Sequence, residues 1–295
     1  MNKKRQNPNI NYFEVKEENE LLPFLLRVMD KRSRNSVKSI LTRGQVYVNS
    51  NNVTKHNHQL KKGDLVEIQK NKAAKAADFS NMNILYEDEE IIVIEKGAGL
   101  LSIASNKEKS LTAYKQLTDY VKKLHPKNRV FIVHRLDQDT SGVMLFAKTE
   151  KVKNELQNNW KKIVKERKYV ALVEGALQQT KGTIKSWLKE NKVFKMYSSQ
   201  NPNDGKLAIT HYELIKSNQE FSLLSVQLET GRKNQIRAHM EELGHPIVGD
   251  KKYGSSVNPI GRLGLHANIL AFMHPVTNEL LRFESEVPKA FFNFR

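Results

Sequence analysis

The sequence predicts an α+β protein of two domains, and three observations carry that expectation. Two short amphipathic helical stripes open the folded part of the chain. Beyond residue 82, strand-like segments follow one another without regular intervening helices, which argues against a doubly wound parallel sheet. A chain of 295 residues can also bury a substantial core in more than one unit.

Residues 1–20 are polar and charged, with little to bury, and are expected to form an N-terminal arm or a weak strand. Leu22, Leu25, Leu26 and Met29 then fall at i, i+3, i+4 and i+7, one apolar helical stripe. A second helix is expected over 33–42, with Val37, Ile40 and Leu41 inward and Arg34, Lys38 and Arg43 outside. Residues 45–49 read as a strand, 50–52 as a turn, Lys62-Gly63-Asp64 as another turn and 65–68 as a closing strand. Together, 21–69 make a small α+β domain. QKNKAAKAADFS has few large apolar side chains and reads as a linker, placed at 70–81. From 82 to 295 the pattern is long and mixed: strands at 91–95, 169–174, 184–188, 208–215 and 221–228, and a helix over 152–164. In 221–228, Leu223, Ser225 and Gln227 alternate imperfectly with Leu224, Val226 and Leu228, as in a strand buried more on one face.

Charge points to a polyanionic partner. With 49 Lys+Arg against 32 Asp+Glu the chain is formally +17, a field that favours nucleic acid by steering and by release of condensed counterions. Residues 1–80 carry 16 Lys+Arg and 8 Asp+Glu, so positive charge is concentrated at the N-terminus. The absence of cysteine excludes disulfides, thiolate metal sites and a cysteine nucleophile, and fits a reducing compartment. No apolar run approaches membrane-spanning length, and the first twenty residues have no hydrophobic signal core. A cytoplasmic protein with no membrane partner is expected, which makes the sequon Asn52-Val53-Thr54 an accident of composition.

The most informative stretch is HRLDQDTSG, residues 134–142, which sets one carboxylate, Asp137, behind an arginine and ahead of a Thr-Ser-Gly turn between two apolar runs. Asp, Thr, Ser and Gly are also what ordinary capped turns use, so spacing alone leaves both the catalytic and the structural reading open. HRLDxxTSG resembles the signature of the RluA-type pseudouridine synthases. The likeness continues through KGAGLL (96–101), ERKYVALVEG (166–175), GRKNQIRAHM (231–240), GHPIVGDKKYG (244–254) and RLGLHA (262–267), in the family's order and at similar distances.

That resemblance implies an RNA-modifying isomerase that needs neither cofactor nor metal. Its fold would be an α+β catalytic domain over 82–295, built around a long, mostly antiparallel sheet with a central cleft. Asp137 would be the essential carboxylate, as nucleophile or as base toward the ribose. Arg237, the arginine of QIR, would pair with it and offset the cost of desolvating the carboxylate. Tyr169 would stack on uracil, its hydroxyl near the carbon 5 proton. Arg135, two positions before the aspartate, would fill the gap left by a uridine flipped out of RNA. His134 reads as a structural hydrogen-bonder and Asp139 as a turn residue.

The N-terminal pattern, two helices followed by RGQVYVN and KKGDLVEI, resembles the small RNA-binding module named after ribosomal protein S-four. By that likeness Arg32, Arg34, Lys38 and Arg43 would face RNA. The expected partner is large-subunit ribosomal RNA, with transfer RNA as the alternative, and the expected state is a monomer. Two departures stand out: Gly97 where the family usually has proline, and Lys233-Asn234 where it usually has Thr or Ser followed by His. A non-catalytic RNA-binding factor would not require Asp137, Tyr169 and Arg237 together. A glycoside hydrolase would want a second carboxylate at a set distance, and no HExxH, phosphate-loop or dinucleotide signature is present.

Overall fold

The computed structural model describes residues 10–30, 34–42, 44–69, 79–104, 110–202 and 204–293. The chain forms two compact units, Met1–Phe79 with Ile84–Val93, and Ser80–Asn83 with Ile94–Arg295.

The first unit contains β1 (Ile10–Glu14), β2 (Asn19–Glu20), α1 (Leu21–Val28), α2 (Arg34–Thr42), β3 (Val46–Val48), β4 (Asn51–Asn52), β5 (Gln59–Leu60) and β6 (Leu65–Gln69). Four of these strands make a sheet in the order β1-β6-β3-β4. The apolar stripes decide how the helices sit. Leu22 and Leu25 of α1 are buried with Leu21 and Phe24, and Val37, Ile40 and Leu41 of α2 join them against Val46 and Val66 of the sheet.

Of the arm and the weak strand expected within residues 1–20, the strand is found at Ile10–Glu14, which pairs antiparallel with β6 along its whole length, and Val15 is buried. One expectation changes here. The expected turn at 50–52 is displaced by one residue: Asn49 and Ser50 take positive φ (49° and 66°), leaving Asn51 and Asn52 to pair with Tyr47 and Val48. Asn tolerates that conformation, and its side chain accepts from the Leu65 N–H while donating to Asp64. Most of the expected linker, 70–78, lies outside the described residues.

The chain continues with β7 (Met82–Glu87), β8 (Ile91–Lys96), α3 (Ala113–Leu124), β9 (Phe131–Ile132), β10 (Ser141–Ala147), α4 (Glu150–Asn158), α5 (Trp160–Ile163), β11 (Val164–Glu174), β12 (Lys181–Glu190), β13 (Met196–Ser199), β14 (Lys206–Ser217), β15 (Phe221–Leu228), α6 (Gln235–Glu242), β16 (Leu265–Met273) and β17 (Leu280–Glu284). The strands form one mixed sheet in the order β13-β12-β14-β15-β11-β16-β10-β8-β7, with β17 on β16 and β9 on β10. The pairs from β13 through β16 are antiparallel, whereas β10 runs parallel to β16. The α+β architecture and long, mostly antiparallel sheet are as expected. The single helix expected over 152–164 is two: α4 ends at Asn159, α5 occupies one turn, and Val164 already begins β11.

Three local features place the site. Gly142 has φ 115°, and a Cβ there would stand 2.1 Å from the Ala267 carbonyl, so the parallel β10–β16 contact requires glycine in TSG. Register shifts between Lys168 and Val170 against β16, where Tyr169 stands opposite a stretch of β16 one residue longer. The segment before β10 is tied down by polar contacts: Ser102 Oγ donates to the Leu136 carbonyl at 2.6 Å, and Lys96 Nζ donates to the Gln138 carbonyl at 2.9 Å.

Candidate active site

Asp137 sits on the turn ahead of β10, and its Oδ2 accepts two hydrogen bonds, from Asn234 Nδ2 at 2.5 Å and from Arg237 Nη1 at 3.2 Å. The same turn is fixed from behind by Lys96, which is wholly buried and donates to the carbonyls of Gly97, Leu100 and Gln138 at 2.7–2.9 Å. Three acceptors compensate part of the cost of burying an ammonium. Burial nevertheless pushes Lys96 down to about 7, against the opposing fields of Asp139 and Asp137.

Arg237 lies in the first turn of α6. Its guanidinium forks onto Asp250, Nε to Oδ2 at 2.6 Å and Nη2 to Oδ1 at 2.8 Å, leaving Nη1 for Asp137. Burial opposes the charge, but the hydrogen bonds and field of Asp250, with Asp137 behind them, hold the Arg237 pKa above its ordinary value. The start of α6 is set by Gln235, whose side chain accepts from Thr230 Oγ1 and the Arg232 N–H and donates to the Ile209 carbonyl and Thr210 Oγ1. A buried amide with all these partners gives the helix one direction.

Tyr169 is buried on β11, and its hydroxyl accepts from Arg167 Nε at 3.2 Å and Nη2 at 2.9 Å, with the guanidinium 5.6 Å over the tyrosine ring. Asp137, Tyr169, Arg237, Arg167, Asn234 and Arg135 line one pocket of about 50 Å3. That is far below the ~300–1,000 Å3 usual for small-molecule sites. It shares Arg135, Arg167, Leu228 and Arg232 with a cleft of about 620 Å3 that is also lined by Trp160, Lys161 and Lys165. In the described structure, Arg167 lies over the Tyr169 ring.

The cleft is mostly basic, with Glu229 the carboxylate in its lining, which contacts His211. Among the described residues, none of Arg135, Lys161, Lys165, Arg167 and Arg232 has a carboxylate within salt-bridge distance: Arg232 donates to the Leu207 carbonyl, Lys165 to that of Lys162 and Arg167 to Tyr169. Elsewhere on the surface Lys115 pairs with Asp119 and Lys189 with Asp204. His134 accepts the Leu145 N–H at Nε2 and packs against Trp160, ring centroids 5.0 Å apart. Burial, then the charge of Arg167, push its pKa to about 3, so it is neutral.

The structure thus brings together Asp137, Arg237, Tyr169 and Arg135. Sequence reasoning assigned no role to Asp250, Asn234, Tyr253 or Arg167, although GDKKYG and GRKNQIR contain the first three and were recognised as motifs. In the other unit Arg34 is exposed and Lys38 half-buried, while Arg32 and Arg43 lie outside the described residues. The Gly97 departure has a local reason. A Cβ there would stand 1.8 Å from Asn81 Oδ1, and the Gly97 N–H, which proline lacks, donates to the Asn81 carbonyl at 2.8 Å.

The site thus sets a carboxylate against an arginine beside a buried tyrosine, on a mixed, mostly antiparallel sheet. Residues 90–242 match the pattern of the family described as RNA pseudouridylate synthase, and the chain belongs to that family. It is 35% identical over 250 residues to YjbO, an uncharacterised RNA pseudouridine synthase of Bacillus subtilis, covering 83% of this chain and 88% of that protein. It is 33% identical over 274 residues to the ribosomal large subunit pseudouridine synthase D of Vibrio cholerae, covering 87% and 84% of the two chains. Among solved structures, human RNA pseudouridylate synthase domain containing 1 superposes with a TM-score of 0.56 at 26% identity, over 72% of this chain and 86% of that one.

Proposed function

We propose that this isomerase converts uridines of large-subunit ribosomal RNA to pseudouridine, with Asp137 as the catalytic carboxylate acting on a flipped-out uridine. The observation that carries this reading is the Asp137–Arg237 contact inside a pocket whose wall is Tyr169. The reaction breaks the N1–C1′ bond, turns the uracil and joins its C5 to C1′; the C5 proton leaves and N1 regains one, so atoms balance without redox or a second substrate. An ionised carboxylate beside the ribose serves that sequence either by attacking C1′ or by removing a sugar proton. Arg237 sets a positive charge against it when substrate excludes water. Tyr169 stacks on the uracil once Arg167 moves off its ring, and its hydroxyl faces the C5 proton.

Uridine reaches such a site only from unpaired or opened RNA, at a cost of a few kcal/mol. The basic cleft supports that route, because cations without carboxylate partners are free to meet phosphates. Arg135, exposed and lining both pocket and cleft, is read as the side chain that fills the space a departing base leaves. Arg34 and Lys38, on one helix of the N-terminal unit, with Arg32 and Arg43 beside them in sequence, are read as a further RNA contact. The large-subunit target is favoured by similarity to the Vibrio cholerae protein whose name states it.

Asp137→Asn tests the chemistry: pseudouridine formation is abolished while RNA affinity stays near wild type, and full turnover would remove the proposal. Carbodiimide-based mapping of ribosomal and transfer RNAs from cells with and without the protein tests the target. Sites lost only from transfer RNA would overturn the ribosomal reading and leave the isomerase assignment intact.

A further inference from the structure

We infer that Asn234 is a positioning residue for Asp137: its amide immobilises one carboxylate oxygen, Oδ2, and leaves the other, Oδ1, as the reacting atom. The inference rests on the reading of Asp137 as the catalytic carboxylate. Both donors to Asp137 converge on Oδ2, whereas Oδ1 has no hydrogen-bond partner among the described residues. A carboxylate on a turn can swing about its Cβ–Cγ bond, and unless it is held neither oxygen keeps a fixed direction toward a substrate. Arg237 alone holds it weakly against that, since Nε and Nη2 are taken by Asp250 and only Nη1 reaches across, at 3.2 Å. The Asn234 amide supplies the second restraint on the same oxygen. With both donors in place, rotation would break two charge-assisted hydrogen bonds at once.

The amide is itself oriented by a chain of partners. Tyr253, fully buried, accepts the Met196 N–H at 3.0 Å, so its own proton is donated to Asn234 Oδ1 at 3.2 Å. That leaves the NH2 group toward Asp137; the flipped amide would set oxygen against carboxylate. Burial pushes the Tyr253 hydroxyl up to about 12, so it remains a donor through the neutral range.

Backbone geometry narrows what this position accepts. Asn234 caps α6 in the left-handed region, φ 49° and ψ 26°, where Gly, Asn, Asp and His are tolerated and most side chains are strained. Of these four, only Asn and His offer an N–H donor, and histidine is what the resemblance places here in most of the family. The two residues share a backbone tolerance and a donor, and little else.

The experiment compares Asn234→Gly, Asn234→His and Asp137→Asn with wild type, using total RNA from cells lacking the protein as substrate. Glycine keeps the left-handed turn at no steric cost and removes only the amide. Asn234→Gly is expected to melt like wild type, keep its KM, and lose kcat by roughly ten- to hundredfold, the scale of one hydrogen bond to a charged group. Asn234→His is expected to recover most of that loss. Wild-type kcat in Asn234→Gly, an effect confined to KM, or no recovery with histidine would overturn the positioning role. If Asp137→Asn is inactive and Asn234→Gly fully active, only this inference fails; if Asp137→Asn turns over normally, the reading beneath it fails first.

Discussion

Replacing Asp250 by asparagine removes the charge that holds Arg237 while keeping the side chain's shape. The carboxylate is 1% exposed and accepts two short hydrogen bonds from one guanidinium, at 2.6 and 2.8 Å. Asparagine keeps one acceptor and turns an NH2 group toward the other donor. Hydrogen bonds to charged groups contribute ~1.5–3 kcal/mol each. Breaking a buried pair outright costs ~3–5 kcal/mol, and Asp137 still compensates part of the Arg237 charge, so Asp250→Asn should cost about 2–3 kcal/mol. At ~2–4 °C per kcal/mol for a unit of this size, the melting temperature falls by roughly 4–12 °C.

The comparison is Asp119→Asn, which breaks the Lys115–Asp119 pair on α3, 2.6 Å apart but half-exposed on both sides. Exposed pairs four residues apart on a helix contribute ~0.3–0.5 kcal/mol. Salt separates the two further. Going from ~0.1 to ~1 M shortens the Debye length from ~10 to ~3 Å, which erases the Asp119 effect and spares the buried one. Thermal unfolding followed by circular dichroism reads both, and pseudouridine formation by Asp250→Asn should fall with the loosening of Arg237. An Asp250→Asn protein that melts within about 1 °C of wild type, with unchanged turnover, would refute the view that this fork builds the site.

Two further outcomes are expected. Gly97→Ala should cost ~1–3 kcal/mol by overpacking against Asn81, and Asn81→Gly, at a site with φ 57°, should relieve it; additive effects in the double-mutant cycle would show that the two do not share the space. His239 is fully buried between Ser186 and Thr210, and burial lowers its pKa from 6.5 to about 4. Its native form therefore binds fewer protons than the unfolded chain below pH 6.5, so its contribution is complete above that value and is lost as pH falls toward 4. His239→Gln should flatten urea-denaturation stability between those pH values, and an unchanged slope would assign the acid loss to other groups.

Much of the architecture was legible because it is written at short range. The stripe at Leu22, Leu25, Leu26 and Met29 needs only the helical period, and α1 buries it; Phe221–Leu228 reads as a strand from its own alternation. What stayed open or went wrong shares a cause. Ile10–Glu14 alternates too weakly to decide between an arm and a strand, and is a strand because β6 pairs with it. The residues around Asn159 have helical composition, yet the chain leaves the helix there and Val164 joins β11, whose pairing with β16 outweighs propensity.

The same division holds at the site. Taken by itself, the amino-acid sequence determined a carboxylate on a Thr-Ser-Gly turn, an arginine early in a helix, a tyrosine on a strand and an excess of positive charge, all properties of a few neighbouring residues or of the whole composition. Only the tertiary structure decided which oxygen of Asp137 is held, that Asp250 rather than Asp137 receives the Arg237 fork, and that Arg167 covers the Tyr169 ring. Asn234 and Asp137 are 97 positions apart. Hydrogen bonds are directional over less than an ångström, so a contact across that separation is set by sheet register and by the start of α6, which no local pattern encodes.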